Sequence, residues 1–310
     1  MPRIMMKTSA NPTVEQVFSF FISSTAAKGV KDKTLETYKG HFHSISKRLN
    51  VSIPIANLTK THLDTMISEM KAGGLSAHSI NSYTRTLKSF LSWCNVEGYT
   101  SLNISIYKAG ESTKETYTDK ELMILLKKPK AGCNFCEYRN WIIINFLMNS
   151  GCRAATVRNI QIQDVYLPNR QILFRHTKNG KIQTIPLCSE MVSILQEYMQ
   201  IRNGSGSDYL FCNEFGNYLS ESALRQSIVK YNRKRGIERT SIHAFRHTFA
   251  RKFLIDCGGD AFTLQRILGH STLAMTKHYC NIFNSDIIDK YESISPLANL
   301  KKSSGKYIKK

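Results

Sequence analysis

The stretch His243-Ala244-Phe245-Arg246-His247-Thr248-Phe249-Ala250 lies in a segment, Ile242 to Ile255, whose spacing predicts a helix. On such a helix His243 and Arg246, three residues apart, project from one face, while Phe245 and Phe249 share another. The phenylalanines can anchor a core. Two cationic or proton-carrying groups on the other face suit an anion.

Two further stretches place polar groups beside apolar helices. Upstream, the apolar helix around Trp141 to Met148 ends in Asn149-Ser150-Gly151-Cys152-Arg153, with an arginine just beyond a glycine. Downstream, Leu268-Gly269-His270-Ser271 closes a helix on glycine before a histidine, and Tyr279 follows within Lys277-His278-Tyr279. Taken singly, these residues read as a surface arginine, a glycine cap and a half-buried packing tyrosine.

Between Val165 and Leu187 the period changes. Ile172, Phe174 and His176 alternate with polar neighbours, Asn179-Gly180 carries a type I′ turn signal, and Ile182, Thr184 and Pro186 follow. This predicts a β-hairpin with Lys178 at its tip. Helices are expected again at Met191 to Ile201, Ser222 to Arg235, Phe262 to Leu268 and Leu273 to Phe283. Thr118 and Glu121 form a capping-box pattern where this block begins.

The preceding block reads as helical throughout. Thr13 and Gln16 suggest a first capping box ahead of Val17, Phe18, Phe20 and Phe21. Leu35, Tyr38, Phe42, Ile45 and Leu49 form a second stripe, and Leu63, Met66, Ile67 and Met70 a third that Gly73 and Gly74 stop. A fourth carries Ile80, Tyr83, Leu87, Phe90 and Leu91, with Arg85 and Lys88 opposite as candidate DNA contacts. The expected organisation is a tail at 1–10, a helical domain at 11–107, a linker at 108–117, a mixed domain at 118–300 and a basic tail at 301–310. The fold class is thus mainly α with a small β-sheet.

Composition narrows the partner. The 310 residues carry 43 Lys and Arg against 23 Asp and Glu, a formal net charge of +20, which favours a polyanion. The longest apolar run, Trp141 to Met148, is interrupted by Asn145 and is far short of a membrane span. Eight scattered cysteines lack the density of a secreted disulfide framework and suggest a reducing, cytoplasmic setting. Cys133 and Cys136 make a lone CxxC without the second pair that a zinc site normally needs. Clustered acids of the kind that hold Mg²⁺ are not found, so a metal-dependent nuclease is poorly supported.

As a set in this order, these residues resemble the tyrosine recombinase, or phage integrase, family. Arg153 matches its first arginine, His243 and Arg246 its HxxR box, His270 its LGHS histidine and Tyr279 its nucleophile. Lys178 matches the family's mobile lysine, with Lys181 as a nearby competitor, and both as DNA contacts. The first block resembles the family's core-binding domain, including the Tyr83 to Trp93 helix followed by Gly98-Tyr99 and Asn103. One departure stands out: Thr156 occupies a position where relatives commonly carry an acid.

The resemblance implies duplex DNA with specific recombination sites as partner, a homotetramer on that DNA, no membrane and no cofactor or metal. It also implies strand cleavage by Tyr279, with Arg153 and Arg246 as phosphate clamps, His270 as a third donor, His243 as base and Lys178 as acid to the leaving 5′ oxygen. Integration or excision of a mobile element is favoured over Xer-type dimer resolution. A type IB topoisomerase or a non-catalytic DNA-binding relative are the rival expectations.

Overall fold

The structure is a computed structural model that describes residues 11–108, 110, 115–177, 180–273, 275, 276, 279 and 295. It divides into two compact units, Met1–Ser112 and Thr113–Lys310. As the periodicities predict, the described residues are mainly helical with one small antiparallel sheet.

The first unit holds α1 (Val14–Ala27), α2 (Asp32–Ser46), α3 (Lys60–Ala72) and α4 (Ala77–Val96). Thr13 opens α1 through the expected reciprocal box: its Oγ1 accepts from the Gln16 N–H at 3.3 Å, and Gln16 Oε1 accepts from the Thr13 N–H at 3.0 Å. The apolar stripes meet in an aromatic centre, where Phe18 stacks on Phe42 at 3.8 Å and meets Phe90 edge-on at 5.3 Å. Arg85 and Lys88 lie on the exposed side of α4, and Arg85 Nε donates to Asn81 Oδ1 at 2.8 Å.

The second unit is built around α6 (Phe135–Ser150), which follows α5 (Asp119–Leu126) and is buried on nearly every side from Tyr138 to Leu147. A helix apolar all round needs neighbours all round. They include α8 (Ser189–Arg202), α9 (Glu221–Lys234) and α10 (Ile242–Arg251), all of which pack against it. The short α7 (Ala154–Asn159) and α11 (Ala261–Leu268) complete the helices that bear on the site.

The sheet consists of β1 (Val165–Tyr166), β2 (Gln171–Phe174) and β3 (Gln183–Pro186) in that order. The hairpin departs from its expected turn and phase. A two-residue turn at Asn179-Gly180 would place Phe174 opposite Ile185, but Phe174 pairs with Gln183 and Ile172 with Ile185. The inward residues of the returning strand are Ile185 and Leu187, both buried, whereas Ile182, Thr184 and Pro186 are exposed, one residue out of phase with the expected alternation. Burial decides between the two phases, because a shift of one residue exchanges the faces of a strand. The pairing itself is slipped by two residues from that of a two-residue turn, which leaves the inward set unchanged.

A second correction concerns α10. The regular helix expected to run to Ile255 ends at Arg251, and Lys252–Asp256 form a wider π-helical turn closed by Cys257 N–H donating to the Lys252 carbonyl at 2.8 Å. Lys252 Nζ is held there by Asp119 at 2.5 Å and Asp256 at 2.8 Å. Lys178, most of the expected helix from Leu273 to Phe283, and the apolar stripe of Ile287, Ile288, Tyr291 and Ile294 lie outside the described residues.

Tyr117 anchors α10. Its ring stacks on Phe245 at 4.2 Å, and its backbone N–H donates to Thr248 Oγ1 at 2.8 Å. Its hydroxyl faces the Arg239 and Ser241 carbonyls at 3.2 and 3.3 Å and accepts from Asn232 Nδ2 at 3.1 Å. Burial holds that phenol well above its ordinary range, so it remains a donor. Tyr117→Phe removes the bridge but keeps the ring, and is expected to cost about 1–2 kcal/mol in urea denaturation. A change below about 0.3 kcal/mol would contradict this bridging role.

Candidate active site

Two glycine-capped chain reversals bring the sequence motifs together. The first is Gly151, which ends α6 in the left-handed conformation (φ 58°) with its N–H donating to Leu147 O at 2.8 Å. Glycine is required here for space as well as conformation: a Cβ would lie 2.3 Å from Phe249 Cδ1 and 2.8 Å from Leu268 Cδ2. The glycine lets α6, α10 and α11 approach, and two residues later Arg153 stands as the N-cap of α7. Gly151→Ala combines a left-handed alanine, about 1–2 kcal/mol, with overpacking of about 1–3 kcal/mol. The expected loss, about 2–5 kcal/mol, is readable by denaturation; a loss under about 0.5 kcal/mol would show that the three helices can separate at no cost.

Arg246 is the centre of the site. It is 4% exposed, with NH1 donating to the Gly151 carbonyl at 2.9 Å and NH2 to the Leu268 carbonyl at 3.0 Å. NH2 also lies 2.7 Å from His270 Nε2, and His270 Nδ1 lies 2.8 Å from Thr276 Oγ1. A guanidinium can only donate, so Nε2 accepts and the imidazole proton sits on Nδ1, toward Thr276. To act as the expected third donor through Nε2, His270 must first take up a proton there.

Burial lowers the Arg246 pKa, and the nearby Arg153 cation lowers it further; the neighbouring Tyr279 hydroxyl opposes both. Neither arginine has a carboxylate partner among the described residues. Thr156, in the usual acid position, is buried and supplies no countercharge. Two carbonyls and a neutral imidazole hold the Arg246 cation, so the pair of guanidiniums is a strong site for an anion.

Tyr279 is 5% exposed. Its ring stacks with that of His270 at 5.9 Å and an interplanar angle of 9°, and lies 5.5 Å from the ring of His247. Gly269, left-handed with φ 61°, turns the chain after α11 and sets His270 under the tyrosine. The neighbouring Cys152 is no rival nucleophile, because burial pushes its thiol up to about 11.

Arg153, Arg246, His270 and Tyr279 are thus assembled, as the motif order leads one to expect. His243 is exposed, and its ring lies 6.4 Å from that of His247, one helical turn along α10. The flanks of Lys178 are described: Thr177 Oγ1 donates to the Lys181 carbonyl at 2.7 Å and the Gly180 N–H to Thr177 O at 3.1 Å. Thr177 and Lys181 line a cleft of about 450 Å³ whose other walls include Phe262, His270 and Ser271. Arg85 and Lys88 belong to the first unit.

Sequence reasoning missed Gln183 and His247. Gln183 Nε2 donates to the Ile267 carbonyl at 2.8 Å and also to that of Arg266, capping the end of α11, and its Oε1 occupies the space where a Gly269 Cβ would be. The signal for it was a polar residue in phase with Ile185 and Leu187. His247 was visible inside the central octapeptide, four residues after His243 on the same helical face.

This constellation has known counterparts. Residues 115–285 match the model of the phage integrase family, and residues 19–98 match that family's N-terminal SAM-like domain. The chain belongs to the phage integrase family. Its members are tyrosine recombinases, which cleave DNA strands through a phosphotyrosyl intermediate. The chain is 25% identical over 284 residues to the tyrosine recombinase XerC of Thermodesulfovibrio yellowstonii, covering 87% of this chain and 93% of that protein. It is 27% identical over 239 residues to XerA of Pyrococcus furiosus, covering 76% and 80%. In fold it is similar to the Tn1549 transposon integrase in complex with a circular intermediate DNA, with a TM-score of 0.73, 22% identity and coverage of 86% and 94%. A lambda integrase dimer bound to a core site is also similar, with a TM-score of 0.72, 18% identity and coverage of 86% and 95%.

Proposed function

We propose that this protein is a site-specific recombinase of duplex DNA, in which Tyr279 attacks the scissile phosphate and holds the cut strand as a 3′-phosphotyrosyl ester without metal or ATP. The observation that carries this reading is the stacking of the buried Tyr279 ring on His270, whose Nε2 lies 2.7 Å from the buried guanidinium of Arg246, with Arg153 near enough to act on that guanidinium. Both cations can neutralise the non-bridging oxygens as negative charge builds in the five-coordinate transition state. The phenolic proton passes to His243 acting as base, the Oη–P bond forms, and the bond to the 5′ oxygen breaks. That oxygen takes a proton from Lys178, and a 5′ hydroxyl from another strand reverses the step.

The test is a nicked suicide duplex incubated with the protein in EDTA and resolved on a denaturing gel. A protein–DNA band supports the reading. Its absence whenever divalent cations are withheld would refute the metal-free mechanism. For the acid, Lys178→Ala is expected to lose about 10²–10⁴-fold in cleavage while keeping DNA affinity. A 5′-bridging sulfur substrate should restore the rate, since a thiolate leaves far more readily without a proton. No loss on the oxygen substrate would move the acid to Lys181 or elsewhere.

For the biological role we favour integration or excision of a mobile element, carried out by a tetramer on two sites. Support comes from the departure at Thr156 and the fold-level likeness to a transposon integrase on circular intermediate DNA. Dimer resolution is the second reading, favoured by the Xer recombinases among the sequence relatives. Sequencing the DNA covalently trapped on the protein in its host separates them. Element ends support the first, and one fixed chromosomal site the second.

A further inference from the structure

We infer that His247 is a positioning residue for the nucleophile: its imidazole forms part of the seat that fixes the Tyr279 ring beside Arg246. The inference rests on the recombinase reading for its consequence in the reaction, but its geometric content stands on the ring contacts alone.

Fixing a phenol as an in-line nucleophile requires control of its hydroxyl and of its ring plane. The hydroxyl lies within the electrostatic reach of the Arg246 guanidinium. The ring is contacted by two imidazoles, His270 at 5.9 Å and His247 at 5.5 Å. These arrive from separate elements: His270 follows the glycine cap of α11, whereas His247 stands on α10, next in sequence to Arg246. The phosphate clamp and this ring contact therefore share one rigid helix, whose register is fixed by Tyr117 packing on Phe245 and bonding to Thr248. Phe249, two residues on, packs in the same small cluster as Tyr279, Leu264 and Leu268. Any movement of α10 carries clamp and seat together, which preserves the distance between attacking oxygen and phosphate.

His247 suits this task better than an aliphatic residue. A flat ring at 45° to the phenol limits rotation about the tyrosine side chain, and its Nδ1 edge is sealed from solvent. Reacting groups misplaced by about 1 Å can lose about 10²-fold in rate. The seat should therefore govern cleavage without governing DNA affinity, which depends on the many phosphate contacts elsewhere.

The experiment has two readouts on the full chain. In the first, wild type, His247→Ala and His247→Phe are mixed in excess with the nicked duplex, and adduct formation is followed in a single turnover beside the DNA dissociation constant. His247→Ala should slow adduct formation by about 10–100-fold with the dissociation constant unchanged within about twofold, and His247→Phe, which keeps a flat ring, should recover most of the rate. In the second, 3-fluorotyrosine is placed at position 279 and its fluorine resonance is recorded without DNA. It should shift in His247→Ala and return toward the wild-type position in His247→Phe.

A wild-type rate in His247→Ala would overturn the inference. So would a phenylalanine variant as slow as the alanine one, because the imidazole nitrogens and not the ring would then be needed. A fluorine resonance unmoved in His247→Ala would overturn it as well; should the alanine variant fold poorly, His247→Leu, which keeps bulk without a flat ring, is read in its place, and an unmoved resonance there overturns the inference equally. If wild type forms no adduct, the recombinase reading fails, and the fluorine comparison still decides the seat.

Discussion

Tyr279→Phe is expected to bind duplex DNA as wild type does and to form no covalent adduct with it. The substitution removes one oxygen from a ring that is 5% exposed, so packing against His270 and His247 persists. Two described neighbours of the site are unsuited to take over the attack: Cys152 is held as a thiol by burial, and Tyr117 is committed to the Arg239 and Ser241 carbonyls and to Asn232. Removal of a nucleophile deletes the covalent route altogether. On a denaturing gel the adduct band should be absent while a mobility shift under native conditions is retained. A persisting adduct would show that another side chain attacks.

Arg246→Lys carries the second large effect, and it joins stability to function. The guanidinium satisfies the Gly151 and Leu268 carbonyls and His270 Nε2 from one planar fork. A lysine ammonium keeps the charge but cannot reproduce that geometry. One or two buried acceptors left unsatisfied cost about 1–3 kcal/mol each. At about 2–4 °C per kcal/mol for a unit of this size, the melting temperature should fall by about 5–15 °C. Cleavage should fall by at least about 10²–10³-fold, the loss typical of one transition-state donor. A variant that melts normally and cleaves normally would remove Arg246 from the centre of the site.

Much of this arrangement is legible in the residues themselves. The capping boxes at Thr13 and Thr118 and the stripes of α1 to α4 follow from local rules, since a cap or a helical face needs information only three or four residues away. His243, Arg246, Phe245 and Phe249 divide between two faces of α10 for the same reason. The order of Arg153, the octapeptide, His270 and Tyr279 then indicated which distant segments meet.

What escaped the sequence depends on distant backbone. The partners of Arg246 are two carbonyls and an imidazole on other elements, and carbonyls leave no trace in residue identity. The phase of β3 was misjudged because Ile182, Ile185 and Leu187 offer apolar residues on both faces, and only the core contact of Ile185 chooses between them. Gln183 points inward because the last carbonyls of α11 need a donor, a demand set by a segment more than eighty residues away. The π-helical turn after Arg251 likewise reflects Lys252 reaching back to Asp119 as well as along to Asp256.

The central claim is that Tyr279 is the atom source of the protein–DNA bond at a two-arginine phosphate site. The covalent complex formed in EDTA on a nicked duplex can be digested with nuclease and trypsin and examined by mass spectrometry. Trypsin should release the peptide His278 to Lys290, in which Tyr279 is the only tyrosine. The account predicts that this peptide alone carries the residual nucleotide through a phosphodiester on the phenolic oxygen. Nucleotide mass on any other peptide, or no nucleotide-bearing peptide at all, would contradict it.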